Sequence, residues 1–442
     1  MSRGILKLLK LSVILIFLTS CSSVREFSVD DSNEEVVVVV ENKKNIKETK
    51  KEPIEIEEVK EDGSVINKNK NTNIKQEPKT VQSKPQKKTP SNDTLKSKDV
   101  SYITSTTLEK KNLKEFAFDL IKKGKEDENT LLIVGGIQGD EPGGFMAASL
   151  ISTHYEITKG SVWIVPNLNF YAIIKRSRGP FGDMNRKFAN LSKKDPEYEI
   201  VQRIKSYIAD PKVKLILNLH DGSGFFRPMY VDKNHNERKW GQTIVIDQEI
   251  VHNVQEYNDL YSISKKVVKH TNKHLLKDED IYRIKNTHTR FGDSKESKEM
   301  AKTLTYYAIQ QGKAAFGHET SKSLSVTKRV YYKLLSLEKF MDIMGIKYKR
   351  KFDLSVRGVD KVLKEDINLV FDDTNIKMPL KDLRNIQRFF PIDETGVVRF
   401  LPSNPLIKII KNKDTYTIYY GNRRLTKLQA DYAKHLSFDT EV

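Results

Sequence analysis

Four short runs constrain this chain more than anything else in it. TLLIVGGI at 130–137, SVWIVPN at 161–167, VKLILNLH at 213–220 and AAFGHETS at 314–321 are apolar almost without a break and rich in β-branched residues. A strand with one wet face alternates apolar and polar residues, so a run without alternation predicts a strand covered on both faces. Between the runs lie helical patterns. After Pro196, the residues Ile200, Val201, Ile204 and Ile208 fall on one stripe at spacings of three and four. Strands alternating with helices predict an α/β layer fold around a largely parallel or mixed sheet, with helices flanking it. No internal repeat is visible.

Beyond Gly345 the helical pattern fades. KFDLSVRG, INLVF, VVRFLP, LIKII and TYTIYYG read as short strands separated by Asn, Asp, Gly and Pro, which predicts a small all-β accessory domain over 346–442. It carries no chemical constellation. The unit ahead of it, 101–345, holds all four buried runs.

The 442 residues are only 38% hydrophobic and 31% charged, too thin a mixture for the whole length to be packed. The unpacked part is at the N-terminus. Residues 1–20 place Arg3, Lys7 and Lys10 around and ahead of a short apolar run, which reads as a secretory signal. Leu18, Thr19, Ser20 and Cys21 then resemble the lipobox of bacterial lipoproteins, whose cysteine is lipidated and becomes the mature N-terminus. Cys21 is the single cysteine, so no internal disulfide forms. Ser22 after it implies sorting to the outer membrane, with the mature protein in the periplasm. Residues 21–100 are lysine, glutamate, asparagine, proline and serine with few aromatics, broken by a valine run at 36–40, and read as a disordered tether. A coil of that length has a mean reach of roughly 50 Å.

The formal charge of +18 belongs mostly to the folded part, because lysines and acids cancel in the tether. A basic surface fits nucleic acid, but a secreted lipoprotein meets none, so an anionic or carboxylate-rich substrate outside the cytoplasm is the expected partner. A lysine-rich surface with no partner reads the same way.

The chemistry gathers at the ends of the buried runs, where open α/β sheets bind ligands. GGIQGDEPGG at 135–144 sets Gln138 and Glu141 three residues apart at the start of a helix, in a turn freed by its glycines, so that their side chains can converge. His220 closes another buried run. Alone, a histidine at a strand end is as often structural as a ligand; in a sheet whose first turn already offers a carboxylate it is a plausible third ligand.

Taken in order, GGIQGDEPGG, GDMNRKF at 182–188, LNLHDG at 217–222 and GHETS at 317–321 resemble the motifs of the M14 zinc carboxypeptidases, and most of all the peptidoglycan carboxypeptidases that set cell shape in helical Gram-negative bacteria. The resemblance covers 102–345. It implies an M14-like mixed sheet, one zinc ion per chain held by Gln138, Glu141 and His220, and hydrolysis of muropeptide stem peptides from tripeptide to dipeptide with release of diaminopimelate. Glu319 matches the general base. Asn185 and Arg186 match the pair that grips the substrate's terminal carboxylate, and Arg178, with Lys175 and Arg176 as neighbours, matches a second arginine that holds the oxyanion. The substrate-side tyrosine of the family has Tyr306 and Tyr307 as candidates, and Trp240 either walls the pocket or sits in the core.

The departure from the family is Gln138, where a histidine is usual. A glutamine amide oxygen is neutral like imidazole but a poorer donor, so the substitution leaves the site's net charge unchanged. Two other readings share the motifs: a deacylase like the succinylglutamate desuccinylases and aspartoacylases, and a wall-binding lipoprotein on a retired peptidase scaffold.

Overall fold

The computed structural model describes residues 103–104, 113–371, 376–393 and 400–433. The signal, Cys21 and the tether lie outside the described residues. Seven strands form the central sheet, in the spatial order Arg283–Asn286, Thr243–Ile246, Ala314–Ser321, Val213–Gly222, Thr130–Val134, Ser161–Val165 and Ile121–Gly124. The four runs singled out in the sequence are its four central strands, and they run parallel to one another. Thr243–Ile246 joins antiparallel to Ala314–Ser321, and Ile121–Gly124 antiparallel to Ser161–Val165, so the sheet is mixed as expected.

Burial explains the apolar runs. Leu215, Ile216, Leu217 and Leu219 are all within 1% of full burial, so both faces of the Val213–Gly222 strand are covered. Each such side chain contributes about 1.5–3 kcal/mol on burial. That grip fixes His220, three residues after Leu217, at the strand's carboxyl end. The helix Tyr198–Ala209 buries the predicted stripe of Ile200, Val201, Ile204 and Ile208, and it packs on this strand. The helices Pro142–His154, Leu260–Thr271 and Val326–Ile343 form a second group: the last of them packs against both others.

The region after Gly345 differs from the sequence reading. Lys347–Arg350 pairs antiparallel with Tyr155–Lys159, and KFDLSVRG is not a strand: it leads into a helix, Val356–Glu365, that packs on Val326–Ile343. Ser355 caps this helix by accepting from the Gly358 amide at 3.0 Å, and Val359, Val362 and Leu363 are its buried face. The all-β part therefore begins at Asn368. It holds a three-stranded sheet of Ile376–Pro379, Asn368–Phe371 and Phe400–Pro402, and a five-stranded sheet to which Ile103–Thr104 adds an edge strand beside Ile407–Asn412. This part is docked rather than loose: Arg176 Nε donates to the Asn422 carbonyl at 2.7 Å, and Lys408 Nζ lies 5.3 Å from the Phe170 ring centre. Gly421, at φ +56°, seats so closely on Phe145 and Met146 that a Cβ would come within 2.7 and 2.9 Å of them.

Candidate active site

The turn between Val134 and Pro142 delivers Gln138 and Glu141. Gly136 takes φ +74°, and at Gly139 a Cβ would stand 2.0 Å from the Ala172 carbonyl oxygen, so only glycine lets the turn lie against the neighbouring segment. Pro142 then starts the helix, with Glu141 at its cap position. Gln138, Glu141 and His220 are 1%, 4% and 6% exposed, and they meet. His220 Nδ1 lies 3.1 Å from Gln138 Oε1 and 2.9 Å from Glu141 Oε2.

Two neighbours decide how the donors point. Asp183 Oδ1 accepts from Gln138 Nε2 at 2.7 Å, so the amide's oxygen is turned toward His220. The same Oδ1 accepts from the Asn185 amide at 3.0 Å, and Oδ2 is 3.0 Å from an Arg178 Nη. Burial alone would raise the Asp183 carboxyl; the Arg178 charge and the Gln138 bond hold it below the ordinary carboxylate range. Glu141 Oε1 accepts from Arg178 at 3.1 Å, while its Oε2 also accepts from the Asp221 amide at 3.1 Å.

Asp221 ties the ligand-bearing elements together. Its carboxylate accepts from the Gly143 amide at 2.7 Å and from the Thr320 hydroxyl at 2.5 Å, and it pairs with Arg329 at 3.3 Å and Lys333 at 3.4 Å. Lys333, fully buried, also donates to the carbonyls of His220 and His318. The turn helix, the His220 strand, the Glu319 strand and the helix Val326–Ile343 are thus joined at one buried ion pair. Nothing in the sequence marks Lys333; Asp183 and Asp221 stand inside motifs already quoted.

The three donors fit a small cation. A tetrahedral zinc about 2.1 Å from each ligand keeps ligand atoms roughly 3.4 Å apart, close to the 3.1 and 2.9 Å that separate His220 Nδ1 from Gln138 Oε1 and Glu141 Oε2. Electrostatics agree. Burial by itself would pull the His220 imidazolium down, but the Glu141 bond and the charges of Glu319 and Glu141 outweigh it, and the ring's proton affinity ends above its ordinary value. Among the described residues no group of three or more His, Cys, Asp or Glu side chains forms a metal centre, and this set reaches three donors only by counting the amide of Gln138.

An open pocket of about 250 Å³ surrounds these donors. Glu319, Arg178, Asn185, Arg186, Lys322 and Trp240 all line it. Glu319 opens to it in part, while its Oε2 is shut away with no hydrogen-bond partner. Burial pushes its carboxyl up to about 7, against the lowering by His220 and with a further rise from Glu141. Asn185 Nδ2 lies 3.3 Å from His220 Nε2 and its Oδ1 accepts from the Leu304 amide at 3.0 Å, which fixes the amide beside the donor set. Arg186 is half-buried, with Nη1 donating to the Asn185 carbonyl at 3.0 Å. The Trp240 ring stands on the pocket wall, braced by Lys285 Nζ 4.4 Å from its centre.

The tyrosines are placed differently from the expectation. Neither Tyr306 nor Tyr307 lines the pocket; Tyr307 packs on Phe188 with ring centres 6.1 Å apart, under Lys205. Thr305, one residue earlier, lines it instead, together with Met300 and Val245.

The helix-flanked mixed sheet brings Glu141, His220 and Glu319 together at the ends of its strands, with Arg178 and Arg186 reaching the same pocket from neighbouring loops. A family described as the catalytic part of carboxypeptidases controlling helical cell shape matches residues 101–364, and the chain belongs to that family; it is a carboxypeptidase. Among solved structures, the tripeptide-bound cell shape determinant Csd4 of Helicobacter pylori is 38% identical, with a TM-score of 0.66 over 72% of this chain and 78% of its own. The mDAP-bound form of the same Helicobacter pylori protein, described as a D,L-carboxypeptidase, gives 38% identity and a TM-score of 0.65 over 71% and 76%. A glutamine-to-histidine variant of Csd4 matches equally, at 38% identity and a TM-score of 0.65 over 72% and 77%. No curated protein sequence gives a match.

Proposed function

We propose that this carboxypeptidase is a periplasmic lipoprotein, anchored through Cys21 in the outer membrane, that trims peptidoglycan stem tripeptides to dipeptides and releases diaminopimelate. It works with one zinc ion, for which Gln138, Glu141 and His220 are the protein ligands. The observation that carries this reading is the convergence of those three donors beside Glu319, in a pocket flanked by Arg178 and Arg186. The tripeptide and mDAP bound to the similar Helicobacter pylori protein support the choice of substrate.

The chain's own groups divide the work. Arg186 and Asn185 hold the terminal carboxylate, for which a planar guanidinium gives a bidentate match. Arg178, half exposed and tied to Glu141 and Asp183, can turn its remaining N–H groups to the carbonyl oxygen as negative charge grows there. A bound zinc ion supplies Lewis acidity toward the carbonyl and lowers the pKa of the attacking water. Glu319 takes a proton from that water as its oxygen bonds to the carbonyl carbon, then passes the proton to the leaving nitrogen as the C–N bond breaks. Trp240 walls the site.

Weighing the products formed from muropeptides of defined stem length tests the reading. Tripeptide should yield dipeptide and free diaminopimelate, while tetra- and pentapeptide stems stay intact. An unchanged tripeptide, or cleavage of the longer stems instead, defeats it.

A further inference from the structure

Asn218 is a buried amide that the fold leaves unsatisfied. It stands two residues before His220 on the strand Val213–Gly222 and is 0% exposed, and among the described residues neither its Nδ2 nor its Oδ1 has a hydrogen-bond partner. The other two side-chain amides on the pocket wall are both held. Gln138 is fixed between Asp183 and His220, and Asn185 between His220 and the Leu304 backbone. A buried donor and acceptor left unpaired are costly, so the partner of Asn218 is to be sought in a ligand.

Register sets where the amide points. Side chains two apart on a strand share a face, so Asn218 follows His220 on the same face, roughly 7 Å further from the strand end. On the neighbouring strand Gly317 pairs with Asn218 as Glu319 pairs with His220, and Val245 pairs with Gly317 from the strand beyond. Asn218, Gly317 and Val245 thus form a row across the sheet, one step behind the row that carries the chemistry, and all three line the pocket. Gly317 leaves that row open: the nearest atom to a Cβ there would belong to Val245, at 3.2 Å. Met300, which also lines the pocket, is unbranched and can move aside for an entering side chain.

An amide offers donors and an acceptor side by side and carries no charge. The end of a side chain that bears both a carboxylate and an ammonium group matches it on both counts: the NH2 donates to the carboxylate, and the oxygen accepts from the ammonium. We propose that Asn218 is a specificity-determining residue, whose unpaired amide binds the zwitterionic far end of the substrate's terminal side chain. The proposal rests on the diaminopimelate reading of the same site and adds the group that recognises the end of that residue away from the scissile bond.

The test compares three ligands of the metal-loaded protein by titration calorimetry, and the corresponding tripeptides as substrates: meso-diaminopimelate, lysine, which lacks the distal carboxylate, and 2-aminopimelate, which lacks the distal amine. A hydrogen bond to a charged group implies that the parent prefers diaminopimelate over each of the others by roughly tenfold or more. In Asn218→Leu, close to the same shape without the polar atoms, both preferences should fall toward one, through KM rather than kcat. The ligand-free variant should unfold in urea at a concentration no lower than the parent, because it buries no unpaired amide. Asn218→Ala should also lose both preferences, and it decides the matter if Asn218→Leu fails to fold. Preferences that survive in the folded variants, or equal weakening of all three ligands, overturn the proposal. A parent that shows the preferences but cuts no tripeptide leaves it standing and defeats the function reading; a parent that cuts all three with no preference defeats this inference alone.

Discussion

Asp183 should control metal affinity without being a ligand. Its Oδ1 fixes two groups, the Gln138 Nε2 at 2.7 Å and the Asn185 amide at 3.0 Å, while Oδ2 holds Arg178. Removing the whole carboxylate in Asp183→Ala frees the Gln138 amide to rotate and to turn its NH2 toward the other donors. A hydrogen bond to a charged partner is worth about 1.5–3 kcal/mol, and 1.4 kcal/mol is tenfold, so the loss should be roughly 10- to 100-fold in zinc affinity. Asp183→Asn separates the two oxygens' duties. Its Oδ1 can still accept from Gln138 and Asn185, but its NH2 would face the Arg178 guanidinium. Zinc affinity should then fall less than tenfold while turnover drops with the loosened Arg178. Competition with a chromophoric chelator measures the affinities, and steady-state hydrolysis the turnover. Equal zinc affinity in Asp183→Ala and the parent, or an equal fall in both variants, refutes the reasoning.

Other perturbations have equally definite outcomes. Glu319→Gln should lower hydrolysis by about a hundredfold or more with zinc content intact, since an amide of the same shape cannot shuttle the proton; product mass and metal analysis check it. Lys333→Met should cost about 3–5 kcal/mol in urea unfolding by leaving Asp221 buried with a broken pair, and adding Asp221→Asn should recover part of that loss. Asp247 predicts a pH dependence: its folded carboxyl titrates at about 6, above its unfolded value, so the folded state binds the proton more tightly. Its contribution is therefore fully present below about pH 4 and is lost as pH rises through 6, by about 3 kcal/mol at pH 7, and the difference in unfolding free energy between the parent and Asp247→Asn should follow that course.

How much of this could be read from the sequence depends on the range of the interaction. The four central strands were legible because burial on both faces leaves no polar residue to break the run, and the meeting of Gln138, Glu141 and His220 follows from two adjacent strand ends, the turn after Thr130–Val134 and the end of Val213–Gly222, lying side by side. The helix Val356–Glu365 was missed because Phe352, Leu354 and Val356 alternate as a strand would, although Ser355 as cap and the spacing of Val359, Val362 and Leu363 mark its start and its buried face. Tyr307 was a candidate by proximity to Glu319 along the chain, yet the turn of its helix sends Thr305 to the pocket and Tyr307 to Phe188. Lys333 and Asp247 were invisible for a different reason. A lysine on a helix and an aspartate after a strand usually face water, and only the packing of distant segments shows that these two do not.

Whether the glutamine in the first turn works as a ligand is measured directly by the zinc affinity of the parent against Gln138→Ala and Gln138→His. The geometry predicts about one zinc per chain in the parent, a clear loss of affinity in Gln138→Ala with one of three protein donors gone, and binding at least as firm in Gln138→His because imidazole is the better donor. Three indistinguishable competition curves would contradict it.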